Sequence, residues 1–446
     1  MKIKQNRNIV FFEITTKTVV HSVVFIFFFL MLIIPTTYQA ERGAILALLI
    51  MAAVIAALQG RGWQVHRDIV ILCLLTVTGS LFFMLRGEIA SGPGAFRVGT
   101  VYVLWPLLFL FFMGVTRDLY LISGLFKVIV LGTSVAAIMG MGIVAGALGH
   151  GIPGLSTFLK SQGPGVGVYE GYIEYRLYNM TTLIYALPFL ITSLFVPLPY
   201  STFQGKWRPA TWAALLLTIV AMMISGRRIF WLIGILSPVV VFFLFLLTGL
   251  PLRRLFRSSL IVAVLGVTVL IGGIIALKIN IGAIASDFAS GFNFSSHTEV
   301  SAGARRSQFF DLMQGWMSNP VIGAGHGTAA PNIIRNPEQP WAYELSYVAL
   351  LYHTGILGIL VYGSALGWTV LKAIKIVRIE PNKAGIILPL LAGLLCFLIS
   401  NVTNPYLAKF DYLWTIFILV TVLNAYLVQP AKQTSSSSTG IPDPNF

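Results

Sequence analysis

Apolar runs of about twenty residues recur along almost the whole chain, and no other feature limits its fold so strongly. Lipid offers no hydrogen bonds, so a run that enters it must satisfy its own backbone and form a helix, and ~20 residues at 1.5 Å each cross the ~30 Å hydrocarbon layer. Such runs lie near 18–36, 43–59, 69–85, 98–115, 120–147, 180–198, 209–225, 229–249, 259–278, 346–372, 384–402 and 411–428. The chain is 57% hydrophobic and 10% charged, against about 25% charged in soluble domains. The expectation is an all-α polytopic integral membrane protein with about 12 transmembrane helices in one membrane domain, residues 1–430. A tail, 431–446, is rich in Ser and Pro and is expected to be disordered. The net charge of +15 resides in short loops between spans, where it orients helices and meets anionic membrane lipid; nucleic acid is therefore excluded as a partner. Cys73 and Cys396 both sit inside apolar runs and are assigned to packing.

Twelve spans put both termini on one side. With those termini cytoplasmic, 17 of the 30 basic residues fall on the inner side, among them Arg253, Arg254, Arg257, Lys372, Lys375 and Lys383. The first run follows a basic start and lacks a small-residue cleavage site, which implies a retained anchor. Two segments on the outer face stand out by length, 148–179 and 279–345, and chemistry is sought there.

Arg227 and Arg228 occupy a tight outer turn in "SGRR". Two positive charges there work against topology, and an anionic ligand supplies a reason for them, helped by the amides at the start of the following span. The segment 301–327 is expected to be a helix opened by Ser301 and closed before Pro320, then a glycine-rich turn. Phe309, Leu312, Met313 and Trp316 share one face, which would lay the helix on the bilayer, with Arg305 and Arg306 in its first turns. Paired arginines suit a pyrophosphate through bidentate charge-assisted bonds; contact with lipid phosphates accounts for the same residues.

Carboxylates are scarce, 15 in all, and no D-x-D occurs, which argues against a metal-dependent sugar-nucleotide site. Glu344 opens the tenth span beside Trp341 and Tyr343, a border where a carboxylate can act as a base, or simply pair with an arginine. His353 is nine residues on, about 13 Å along the helix, and is read as a packed neutral residue. His326, in "GAGHG", is freer to reach a ligand. "YEGYIEYRLYN" (169–179) sets Glu170, Glu174, Arg176 and four tyrosines before the sixth span, a mixture suited to sugar stacking or to an aromatic belt.

These residues resemble the O-antigen ligase and polymerase superfamily, membrane glycosyltransferases of the GT-C type. "SGRRIFW" (225–231) is similar to its S-R motif at the outer end of a span. Arg305 followed by Pro320, Gly323 and Gly325 is similar to its Arg before P-x-x-G-x-G. Glu344 with Gly355 is similar to a polar residue opening a span with Gly eleven residues later. The resemblance implies metal-independent, inverting transfer of an undecaprenyl-pyrophosphate-linked glycan, without a cofactor, on the periplasmic face of the bacterial inner membrane. It implies Glu344 and Arg305 as catalytic and Arg227, Arg228, Arg305 and Arg306 as the pyrophosphate site; Arg176, Tyr343 and His326 are candidates for sugar binding from their own surroundings. Ligases of the family carry His where Glu344 stands. That departure favours a polymerase, whose acceptor is another lipid-linked repeat, over a ligase acting on lipid A-core or another acceptor. A transporter or flippase is the alternative from a different class, opposed by the scarcity of ionisable residues within the spans.

Overall fold

The computed structural model describes residues 21–56, 58, 63–115, 119–151, 153–162, 165–169, 172–252, 282, 300–334 and 336–428. Its helices are α1 (His21–Ile33), α2 (Gln39–Ala56), α3 (Arg67–Ile89), α4 (Ala95–Gly114), α5 (Leu119–Ala147), α6 (Pro153–Ser161), α7 (Met180–Phe195), α8 (Trp207–Met223), α9 (Arg228–Thr248), α10 (Val300–Met317), α11 (Ser346–Ile379), α12 (Ala384–Ser400) and α13 (Trp414–Val428). The architecture is that of an all-α membrane protein. Six helices, α3, α4, α5, α9, α11 and α12 with its short lead-in, are long and apolar enough to cross a membrane. Four more, α1, α7, α8 and α13, are apolar but shorter. The run at 259–278, the tail after 430 and most of 279–299 lie outside the described residues.

Helix α7 explains how a short apolar helix is accommodated. Every residue from Met180 to Phe195 is buried, against α5, α8, α9 and α12, so α7 has neighbours of protein rather than lipid and need not match the bilayer's thickness. Lipid tails are as apolar as leucine, so association relies on close approach and polar links. Both occur here: Gly393 admits the Tyr185 ring, and Tyr185 Oη donates to the Leu390 carbonyl at 3.2 Å. Thr182 Oγ1 donates to the Leu32 carbonyl at 2.7 Å.

One departure from a purely helical chain is a two-stranded antiparallel hairpin, β1 (Gly165–Tyr169) with β2 (Tyr172–Arg176), paired Gly165 to Arg176 through Tyr169 to Tyr172. It falls in the tyrosine-rich segment whose composition suits sugar stacking or an aromatic belt.

Hydrogen bonds gather the connections at two ends of the bundle. At one end Asn179 Nδ2 donates to the Ile33 carbonyl, Thr37 to Gln162, Gly94 N–H to Gly327, Tyr175 N–H to Ser225, Ser346 Oγ to Asn404 and Tyr412 Oη to Tyr178. At the other, Gln64 N–H donates to Gly114, Asn424 Nδ2 to Gln64, Thr202 to Gly385 and Arg378 to Leu247. The hairpin, the SGRR turn and the loop after α10 therefore share one end.

Candidate functional site

At this end α11 is broken. Gly355 has φ 62° and ψ −166°, a conformation essentially confined to glycine. The break frees backbone groups, and the segment after α10 takes them up. Ala324 and Gly325 donate to the carbonyls of Tyr352 and His353, while Ile356 and Leu357 donate to those of Pro320 and Val321, all at 2.8–3.0 Å. Non-helical backbone in a membrane bundle persists where protein satisfies it in this way.

Gly323, Gly325 and Gly327 all have positive φ, and a Cβ on each would meet backbone atoms of α11, α3 or α4 at 2.1–2.4 Å. Their spacing thus serves backbone-to-backbone threading between three helices. Arg86, in the last turn of α3, fastens the thread: its Nε donates to the Gly323 carbonyl at 2.6 Å and Nη2 to Asn319 Oδ1 at 2.8 Å.

Helix α10 begins at Val300, one residue before the expected start. The face it packs against protein is largely polar. Gln308, Asp311 and Leu312 are buried, Gly315 lies against the Tyr352 ring, and Phe309, Phe310 and Met317 are exposed. The reason is polar anchoring. Asp311 accepts from Asn332 N–H, Asn332 Nδ2 and Ile333 N–H at 2.7–3.1 Å. Gln308 Oε1 accepts from the N–H groups of Glu344 and Leu345 at 2.9 and 3.3 Å. Leu312 joins Ala330, Tyr343, Ala349 and Tyr352 in a small core of its own. Of the four residues expected on the bilayer stripe, Leu312 faces protein.

Glu344 lies two residues before α11 rather than at its start. Its Oε2 accepts from Arg305 Nε at 2.8 Å, both side chains being partly exposed. Arg306 sits over the Phe310 ring at 5.8 Å. At the SGRR turn Ser225 Oγ accepts from Arg227 N–H at 3.2 Å, and Arg228 is the first residue of α9. Arg227 Nη2 lies 3.5 Å from Asn404 Oδ1, the Asn404 carbonyl accepts from Ser346 Oγ at 2.8 Å, and Ser346 N–H donates to the Glu344 carbonyl at 3.0 Å. Four contacts, the Arg305–Glu344 ion pair included, thus join Arg227 to Arg305, 78 residues away.

Beside this chain of contacts opens a cavity of about 460 Å³, within the usual ~300–1,000 Å³ of ligand sites. Arg97, Lys409, Trp341, Tyr178 and Tyr343 line it, with His326 and His353 deep in the wall. Residues Thr100–Leu104 of α4 form a π-helical turn, a feature frequent at functional sites. Tyr102 within it stacks on His326 at 5.2 Å and 6°. His326 is 1% exposed; its Nε2 is 3.0 Å from Tyr362 Oη, and its Nδ1 has no partner among the described residues. Burial, and then the neighbouring His353, push its pKa down to about 3, so the ring is neutral. Burial also drives the Tyr343 phenol up to about 12, against the Ala330 N–H that it accepts at 2.5 Å. His353 is buried, as expected, and its Nε2 lies 3.0 Å from the Thr328 carbonyl of the loop after α10.

The structure thus brings Tyr343 and His326 to one cavity and Arg305, Glu344 and Arg227 to one contact chain near it. Arg176 closes the hairpin, and its side chain, like Glu170, lies outside the described residues. Of the four tyrosines, Tyr178 lines the cavity, whereas Tyr175 is buried and donates to the Ala221 carbonyl. Sequence reasoning missed Arg86, Arg97, Lys409, Gln308, Asp311 and Asn404. Arg97 and Lys409 left a trace, because both belong to the minority of basic residues on the outer side of the expected topology. Compared with models of known protein families and with curated proteins, the chain matches none.

Proposed function

We propose that the chain is a lipid-linked glycan polymerase of the O-antigen ligase and polymerase kind. In this reading twelve spans cross the bacterial inner membrane, both termini are cytoplasmic, and the end bearing Arg305 and Arg227 faces the periplasm. The observation that carries the proposal is the contact chain from Arg227 through Asn404 and Ser346 to Glu344 and Arg305, which unites on one face the charges that a leaving pyrophosphate requires.

An acceptor sugar hydroxyl attacks the anomeric carbon of an undecaprenyl-pyrophosphate-linked glycan with inversion, and undecaprenyl pyrophosphate leaves. Arg227, Arg228, Arg305 and Arg306 stabilise the charge that develops on it, as preorganised donors aimed at developing charge do. Glu344 takes the hydroxyl proton or orients that hydroxyl. Its ion pair with Arg305 couples the two roles, because a pyrophosphate that engages Arg305 releases the carboxylate for the acceptor. Tyr343, His326 and Arg176 contact sugar, and neutral His326 offers an unpartnered ring nitrogen to a hydroxyl.

The glycan profile of a deletion strain tests this. A ladder collapsed to a single repeat is the expected result. Full-length glycan stranded on undecaprenyl pyrophosphate would assign a ligase with the same donor, and an unchanged profile would overturn both. Alkaline phosphatase inserted near Asn293 should be active; activity from a cytoplasmic reporter there would reverse the topology and remove the site with it.

A further inference from the structure

A second cavity, of about 300 Å³, lies against the first and differs from it in chemistry. Its wall is almost wholly apolar, including Leu72, Pro106, Leu366 and Phe417, and Thr76, Thr369 and tyrosine hydroxyls are the exceptions. The two cavities share Val101, Tyr102, Tyr347, Leu350 and Leu407, so a polar chamber and an apolar chamber meet across one line of residues. Tyr102 is carried there by the π-helical turn of α4.

The polar chamber has an excess of positive charge. Arg97 and Lys409 line it from α4 and from the α12–α13 connection, and neither forms a salt bridge among the described residues. The carboxylate that lines the chamber, Asp411, is engaged by Arg42 Nη2 at 3.0 Å. Desolvation lowers the Lys409 ammonium below the ordinary lysine range; Asp411 opposes this, and the Arg97 charge adds a smaller push in the same direction as desolvation. Two cations that repel one another in a partly closed space favour an anion between them, and phosphate meets both a planar guanidinium and an ammonium well.

We propose that the two chambers form one site for an anionic amphiphile, with a lipid-borne phosphate or pyrophosphate between Arg97 and Lys409 and its hydrocarbon chain in the apolar chamber behind Tyr102. The site is distinct from the Arg227–Arg305 chain. Within the function proposed above, on which this assignment rests, its occupant is the second lipid-linked glycan, the acceptor, whose sugar extends past Trp341 and Tyr178 toward Glu344.

Native mass spectrometry of the full-length protein with undecaprenyl phosphate tests it. Wild type should retain two copies, Arg97→Gln with Lys409→Gln one, and Arg227→Ala with Arg305→Ala one. Titration should show affinity at the cavity about ten- to a hundredfold weaker in either single Gln variant, the range expected for one charge-assisted bond. Undecaprenol, which lacks the phosphate, should not occupy the cavity, and Ala365→Leu, which narrows the apolar chamber, should weaken undecaprenyl phosphate while sparing inorganic pyrophosphate. Two copies retained by the Arg97→Gln, Lys409→Gln protein would overturn the site. One copy in wild type, lost only with Arg227 and Arg305, would overturn it as well and leave the donor reading standing. Loss of the Arg97–Lys409 copy alone, with no copy at Arg227 and Arg305, would keep the amphiphile site and remove the donor reading. Equal occupancy by phosphatidylglycerol would identify the occupant as bulk phospholipid and overturn the acceptor assignment.

Discussion

Replacing Gly355 by alanine should destabilise the protein more than any other single methyl added to α11. The residue sits at φ 62°, ψ −166°, a region in which a side chain costs about 1–3 kcal/mol. The new Cβ would also lie 2.3 Å from the Val321 carbonyl oxygen and 2.6 Å from Ile322 N, both backbone atoms that cannot swing aside. Relief requires the thread to withdraw, which loosens the bonds from Ile356 and Leu357 to Pro320 and Val321, each worth about 1 kcal/mol net. The sum is about 3–5 kcal/mol, a large share of the ~5–15 kcal/mol by which proteins are stable. Gly363 is the matched control: it lies on the same helix, a Cβ there meets nothing within 4 Å, and alanine should add up to about 1 kcal/mol through helix propensity. Thermal unfolding in detergent, followed by near-ultraviolet circular dichroism, compares the two. A Gly355→Ala protein that melts with wild type would refute the threading account of the glycine motif.

Asp311→Ala should leave two backbone N–H groups without their acceptor, at about 1–3 kcal/mol each, and should raise hydrogen exchange across 328–340 while α11 keeps its protection. Glu344→Gln should slow turnover about 10²- to 10⁴-fold with donor binding retained; full rate in the Gln variant would withdraw the base assignment, and rescue by Glu344→His would show that the position can use another base. His326 should make the protein acid-labile. Its folded pKa of about 3 lies below the ordinary ~6.5, so below pH 6.5 the unfolded chain takes up a proton that the fold refuses, and stability falls toward pH 3. The share lost is about 1.4 kcal/mol at pH 5.5, and His326→Gln should abolish it; an unaltered pH dependence in that variant would contradict the buried neutral ring.

The helices were legible because an apolar run of twenty residues has few other solutions, and the Pro320, Gly323, Gly325 and Gly355 pattern was legible as a motif. Its physical reason was not, since positive φ and backbone contact with Gly87 or His353 exist only once three helices meet. In helix α10 the apolar periodicity was legible, but the face packed on protein was not, because Gln308 and Asp311 hold it through loop amides distant in sequence. The hairpin was overlooked although Tyr172–Arg176 alternates as a strand does, because its tyrosines and charges drew attention first. Arg97 and Lys409 lie on opposite sides of most of the chain, and only the folded bundle sets them on one cavity.

The claim at the centre of this account is chemical, and reconstitution tests it most directly. Purified protein in proteoliposomes, supplied with an undecaprenyl-pyrophosphate-linked repeat and no nucleotide sugar, should release one undecaprenyl pyrophosphate for each glycosidic bond formed. The glycan should lengthen into a ladder, and Arg305→Ala should abolish both products. Lipid-linked repeat that stays intact while it or a labelled solute crosses the bilayer would contradict the account and assign a transporter instead.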